Sequence, residues 1–394
     1  MKSFLLLILI LFSCTNNMNK SKAIKYSKDF IIADGHIDLP YRLNKEGLLF
    51  EKNIDLDYES DGNFDIPKAK RGGLDSPFMS IYIPSDKSES EAYEFANSLI
   101  DLVENIINSN EELHYAYSPS DVIENFNKHN ISLPMGMENG SALGNNIDNL
   151  KYFFDRGIRY ITLTHAKSNQ ICDSSYDRER KWGGLSDFGK KLIEEMNNIG
   201  MMIDVSHVSD DAFFDIMKIS KKPVIASHSS PRALTPGFER NLSDEMIELI
   251  SQNNGVVLIN FGSSFVNSKS NRMFSEINNT VEKWRIENKI KTEDKELERY
   301  KNLLIKKMNP FADIEDVLDA IDHVNNLVGD DHIGFGSDYD GLGNTLPNNL
   351  KDVSTFVNLI EGLIRRGYSK ESIEKICYKN FFRVWNSNLQ NHQI

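Results

Sequence analysis

The chain has 394 residues, 40% of them hydrophobic and 10% aromatic, enough to build one large core. Its formal net charge of −13 argues against nucleic acid and anionic lipid surfaces as electrostatic partners. Enzymes that use a metal or a small molecule stay open.

In chain order, the first feature is a processing signal. Lys2 precedes an apolar run from Phe4 to Phe12. The run is too short to cross roughly 30 Å of hydrocarbon and reads as a secretory h-region. Ser13-Cys14 ends it as a bacterial lipobox does, which makes Cys14 the lipidated first residue of the mature chain. The expectation is a signal peptide over 1–13, a flexible tether over 14–28 rich in Asn, Lys and Ser, and an exported cell-envelope lipoprotein touching the membrane through Cys14. Cys172 and Cys377 form no C-x-x-C pair, and their distance in sequence establishes no disulfide.

From residue 29 to 390, short apolar runs alternate with amphipathic stretches, the rhythm of βα units. Eight strands are predicted: Phe30–Asp38, Pro77–Ile83, Ile131–Glu138, Ile158–Thr164, Gly200–Ser206, Pro223–Ser227, Gly255–Phe261 and His332–Asp338. Helices are predicted between them at Glu91–Asn108, Leu185–Ile199, Asp211–Ile219, Ser243–Ser251 (with Ser243 as N-cap) and Ile314–Val328. Eight such units predict a single (β/α)8 TIM-like barrel; a doubly wound sheet would need a reversal point that the pattern lacks. The charged segment 267–309 reads as a helical insertion, either a solvated surface element or a lid. Ser354–Ile364 and Ser369–Trp385 close the chain as helices.

Barrel chemistry sits at the C-terminal ends of the strands. There stand His36 and Asp38, Glu138, His165, His207, His228 and Asp338. On a pleated strand, His36 and Asp38 project to the same side. Each residue alone has an ordinary structural use. Four imidazoles and three carboxylates in one mouth need metal or protons to compensate them. The set exceeds one tetrahedral site, so two metals sharing a carboxylate is the simplest arrangement.

The segments Asp34-Gly-His-Ile-Asp-Leu-Pro, Gly-Met-Glu138, Leu-Thr-His165, Asp-Val-Ser-His207, Ser-His228-Ser-Ser, Arg240-Asn241 and Gly-Ser-Asp338-Tyr-Asp-Gly together resemble the membrane (renal-type) dipeptidase family, binuclear zinc peptidases of the amidohydrolase superfamily. The resemblance runs from about Ile31 to Trp385. It implies His36 and Asp38 on one zinc, His207 and His228 on the other, and Glu138 as the bridge. It implies His165 at the scissile carbonyl, Arg240 on the substrate carboxylate, and Asp338 as the acid beside a metal-bridging hydroxide that attacks dipeptides. Asp34 is expected to be structural. Mn2+ and Co2+ suit the same N/O donors, and family members are often dimers. The rival readings are a lactonase, deaminase or cyclic amidase of the same superfamily, and a catalytically silent binding lipoprotein. The 267–309 segment departs from the mammalian pattern.

Overall fold

The computed structural model describes residues 18–292 and 294–389. Eight parallel strands close into a barrel: β1 (Ala33–Ile37), β2 (Ser76–Tyr82), β3 (Met135–Glu138), β4 (Ile158–Thr162), β5 (Met202–Asp204), β6 (Ile225–Ala226), β7 (Val256–Ile259) and β8 (Ile333–Phe335). Each strand pairs with its sequence neighbours, and β1 closes against β8 through Asp34 and Phe335. Apart from the half-buried Tyr82, these strand residues are buried, because helices cover the outside and side chains fill the inside.

The predicted strand Ile131–Glu138 is a correction. It breaks at Pro134, which has no N–H for the ladder. Ile131–Ser132 pairs outside the barrel with Leu113–His114, and only Met135–Glu138 enters it. The predicted helices form with shifts of a few residues at most. Ser243 caps its helix by accepting from the Met246 N–H, a contact worth about 1 kcal/mol. The helix Asp187–Ile199 stops at Gly200, whose φ of +82° suits a residue without Cβ.

Over its described part, 18–28, the tether expected over 14–28 is the second correction. Residues 18–29 are helical. Ala23, Tyr26 and Phe30 are buried there, spaced i, i+3, i+7, and dock the segment on the barrel. The expected signal peptide and Cys14 lie outside the described residues. Among those described, no helix is long and apolar enough to cross a membrane. Cys172 and Cys377 are separate buried free thiols.

Segment 267–309 is a two-helix hairpin, Ser268–Asn288 and Lys295–Met308. Phe274, Ile277, Val281 and Ile305 form a small core of its own, and Trp284 stacks on Tyr300 at 4.3 Å between centroids. Its root, the short helix Ser263–Val266, carries Phe265 toward the barrel mouth. The C-terminal helix Asn380–Leu389 inserts Phe381 and Trp385 among Phe78, Tyr160, Met202 and Leu258. Burying each of these apolar side chains contributes about 1.5–3 kcal/mol. Tyr160 fills the barrel interior because its neighbour is Gly136, where an added Cβ would collide with the phenol ring.

Candidate metal centre

In-register pairing sets one row across the barrel: Tyr82 opposes Glu138, Glu138 opposes Thr162, and Thr162 opposes Asp204. The site residues stand on this row or just beyond it. His36 and Asp38 converge, with Nε2 3.5 Å from Oδ2. Simple strand alternation does not explain this. The β1–β2 register shifts between Asp34 and Ile37, a bulge that re-aims side chains, and Asp38 already stands at the N-cap of the next helix. Asp34 takes no part: its Oδ1 accepts from the backbone N–H groups of His36 and Ser337, which braces β1 against β8.

Glu138 divides its oxygens between two donor sets. Oε2 lies 3.4 Å from His36 Nε2. Oε1 lies 3.2 Å from His207 Nε2, 3.3 Å from His228 Nε2 and 3.6 Å from His165 Nε2. The His207 and His228 nitrogens face each other at 2.9 Å. Three groups capable of holding a cation result: His36 with Glu138 and His228; Glu138 with His165 and His207; His36 with Asp38 and Asp338.

These residues fit divalent metal. Donors about 2.0–2.2 Å from one ion in tetrahedral array stand about 3.3–3.6 Å apart, close to the separations here. Buried His36 Nε2 and Asp38 Oδ1 have no hydrogen-bond partner among the described residues. Burial, with the nearby Arg240 and the neighbouring imidazoles His165 and His36, holds His207 and His228 well below the ordinary imidazole value, so both are neutral, as ligands must be. Burial would raise the Glu138 carboxyl, but His36, His165 and the hydrogen bonds of His207 and His228 hold it well below its usual range.

Two outer contacts set which ring nitrogens face the site. Tyr160 Oη donates to the Gly35 carbonyl at 2.9 Å, so it accepts from His36 Nδ1–H at 2.8 Å. That leaves Nε2 facing the site; burial would lower the His36 ring, but Tyr160, Glu138 and Asp38 hold it well above its ordinary value, so a bound cation would take the place of the Nε2 proton. Ser227 Oγ donates to Asp204, which also receives Thr162 Oγ1. Ser227 therefore accepts from His228 Nδ1–H at 2.7 Å, and the Nε2 of this neutral ring is free. Tyr160→Phe keeps the ring in the barrel and removes the acceptor. It is expected to weaken metal binding about 10- to 100-fold, read by competition with a chromogenic chelator; unchanged affinity for every bound ion would refute the role.

Asp338 and Arg240 complete the mouth. Asp338 Oδ2 accepts from Asn260 Nδ2 at 2.8 Å. Burial and the charge of Asp38 push its carboxyl well above the usual value. Gly341 packs against the Asp38 and Asp338 carboxylates so closely that any Cβ would strike both. Arg240 is 3% exposed. It donates to Ser229 Oγ at 2.7 Å and to the His228 carbonyl at 2.9 Å, while its Nε has no partner. Among the described residues no carboxylate forms an ion pair with it. Asn139, His207 and Asp338 have φ of +77°, +70° and +62°, strain of the kind that collects at functional sites.

The structure thus gathers all seven strand-end residues singled out in the sequence, and places Arg240 against one of them. Of the other histidines, His323 meets Asp244 and His332 a backbone carbonyl, and His392 lies outside the described residues. Sequence reasoning missed Tyr160, Asp204, Ser227 and Asn260 as supports. Asn260 had a signal, a lone amide inside the apolar run Gly255–Phe261; Tyr160 had none.

A family model described as membrane dipeptidase (peptidase family M19) matches residues 20–393. Dipeptidase 3 of Mus musculus is 28% identical over 373 residues, covering 93% of this chain and 66% of its own length. Dipeptidase tcpJ of Claviceps purpurea (strain 20.1) is 32% identical over 332 residues, covering 82% of this chain and 68% of its own. The chain thus spans about two thirds of these curated relatives. Among solved structures, the probable dipeptidase PvdM from Pseudomonas aeruginosa superposes with a TM-score of 0.82 at 26% identity, covering 95% of this chain and 100% of that one. A metallo peptidase from Rhodobacter sphaeroides, liganded with a phosphinate mimic of the dipeptide L-Ala-D-Ala, shares the fold at a TM-score of 0.74 and 23% identity, covering 91% of this chain and 99% of that one.

Proposed function

The chain belongs to the membrane dipeptidase family, peptidase family M19, and from that premise we propose that it hydrolyses the peptide bond of dipeptides with two divalent ions, zinc being the first candidate. The observation that carries this reading is Arg240, a buried guanidinium with no carboxylate partner among the described residues, held on the carbonyl of His228, whose ring meets the divided Glu138 carboxylate.

His36, Asp38 and Glu138 Oε2 would hold one ion; His207, His228 and Glu138 Oε1 would hold the other. Bound there, the ions supply Lewis acidity and an activated water, or hydroxide, at neutral pH. The chain's own groups do the rest. Arg240 receives the C-terminal carboxylate in a charge-assisted fork, which limits the substrate to two residues, because a longer chain carries its carboxylate out of reach. His165, whose imidazole burial keeps below its ordinary pKa, is a neutral donor toward the scissile carbonyl oxygen. Water oxygen adds to the carbonyl carbon. Asp338, held through Oδ2 by Asn260, accepts the water proton and passes it to the leaving nitrogen as the C–N bond breaks.

A lactone or cyclic amide offers no free carboxylate to Arg240, which sets those rivals second. A panel of dipeptides and their C-terminal amides, assayed with and without chelator, tests the proposal. The free acids should be turned over, and chelator should abolish turnover. Arg240→Ala should cost about 10- to 100-fold in kcat/KM on the free acids, the worth of a charged hydrogen bond, and clearly less on the amides. Equal losses on both would remove Arg240 from substrate binding.

A further inference from the structure

The buried guanidinium of Arg240 adjoins a set of rings. Its guanidinium lies 5.4 Å from the centroid of Phe265. Phe238 meets Phe265 edge-to-face at 5.5 Å. Tyr176 stands 6.1 Å from Phe238 and 5.8 Å from the His207 ring. The three aromatics make an arc from Arg240 to a proposed metal ligand. The arc opens at its outer end, where Tyr176 is 45% exposed and Phe238 is half-buried; Phe265, against Arg240, is buried.

The chain holds this arc in place from two directions. Tyr176 lies in the loop after β4, where its N–H donates to Ser174 Oγ and Ser174 Oγ donates to the His165 carbonyl. Arg180 of the same loop pairs with Glu239, which stands between Phe238 and Arg240 in sequence. Glu239 also accepts from the Asp210 N–H at 3.1 Å. The loop carrying Tyr176 is thereby tied to the segment carrying Phe238 and Arg240.

We infer that this arc is the recess for the side chain of the substrate's C-terminal residue, and that the protein prefers dipeptides ending in a large apolar or aromatic residue. The inference rests on the dipeptidase reading, in which Arg240 holds the C-terminal carboxylate. Carboxylate and side chain branch from one carbon, so the side chain must lie beside Arg240, against the rings. There an apolar group covers exposed ring surface and gains by leaving water. An acidic side chain would meet the negative ring faces, and the guanidinium of Arg180 is already engaged by Glu239.

The test uses the metal-loaded protein with Gly-Gly, Gly-Phe and Gly-Asp. Gly-Phe should exceed Gly-Gly by about tenfold or more in kcat/KM, the scale on which apolar pockets discriminate, and Gly-Asp should be the poorest. Tyr176→Ala and Phe238→Ala should each lower the Gly-Phe to Gly-Gly ratio several-fold, while Tyr176→Phe retains it. A wild-type preference for Gly-Asp, or Ala variants in which both rates fall together at an unchanged ratio, overturns the recess and leaves the dipeptidase reading standing. Absence of turnover of all three dipeptides overturns that reading and the recess with it.

Discussion

Glu138→Gln is expected to give a folded protein that retains neither ion with native affinity. Glu138 is 4% exposed and is the carboxylate common to both donor sets, 3.4 Å from His36 on one side and 3.2 Å and 3.3 Å from His207 and His228 on the other. The amide has the same volume, so packing against Ser80 Oγ, which donates to Oε2, changes little. What disappears is the negative charge that, on the proposed two-ion reading, would offset both cations in a buried pocket. Loss of outer-sphere partners alone weakens metal binding about 10- to 100-fold; losing a ligand shared by two ions should exceed the upper end of that range. His207 and His228 are held neutral by burial, so the emptied pocket does not fill with repelling charge and the fold survives. Two measurements check this. The metal-to-protein ratio after dialysis should fall from about two toward zero. Chelator should lower the melting temperature of the wild type through linkage and leave that of the variant unmoved. A variant that still carries two equivalents through dialysis would show that the carboxylate does not bridge.

The barrel was readable because its strands are buried on both faces and spell continuous apolar runs, so eight runs in order could be counted. Their ends were less readable. Pro134 splits one run, and the bulge after Asp34 means that His36 and Asp38 converge for a different reason than strand alternation. The helix over 18–29 had a signal that composition outweighed: Ala23 and Tyr26 within it and Phe30 just after it, at helical spacing in a polar stretch. The candidate ligands were readable because imidazole and carboxylate at strand ends are conspicuous one at a time. Their supports were not. Tyr160 meets His36 across 124 positions of sequence, and Asp204 reaches Ser227 across 23; no local pattern announces hydrogen bonds over such separations. The same holds for Tyr176 and Phe238, ordinary loop aromatics until the fold sets them beside Arg240.

Asp338→Asn should separate proton transfer from metal binding. Asp338 is close enough to His36 and Asp38 to serve as a ligand, whereas the proposed mechanism gives it the role of acid–base group; the two roles predict different losses. The substitution is gentle on the backbone. Asp338 sits at φ +62°, a conformation that Asn tolerates as readily as Asp, and its N–H still reaches the His36 carbonyl at 3.1 Å. The Asn260 amide donates to Oδ2, so the new side chain can turn its own carbonyl oxygen to Asn260 and keep that bond. The amide nitrogen then faces the reacting groups, and it can neither accept the water proton nor return it to the leaving amine. If Asp338 is the acid–base group, turnover falls by about 10² to 10⁴, the usual contribution of such catalysis, with two ions still bound and KM little changed. If it is instead a ligand, metal content falls first and added metal restores part of the rate. Loss of activity at full metal occupancy, unrescued by added metal, is the expected result; full activity in the variant would take Asp338 out of the mechanism altogether.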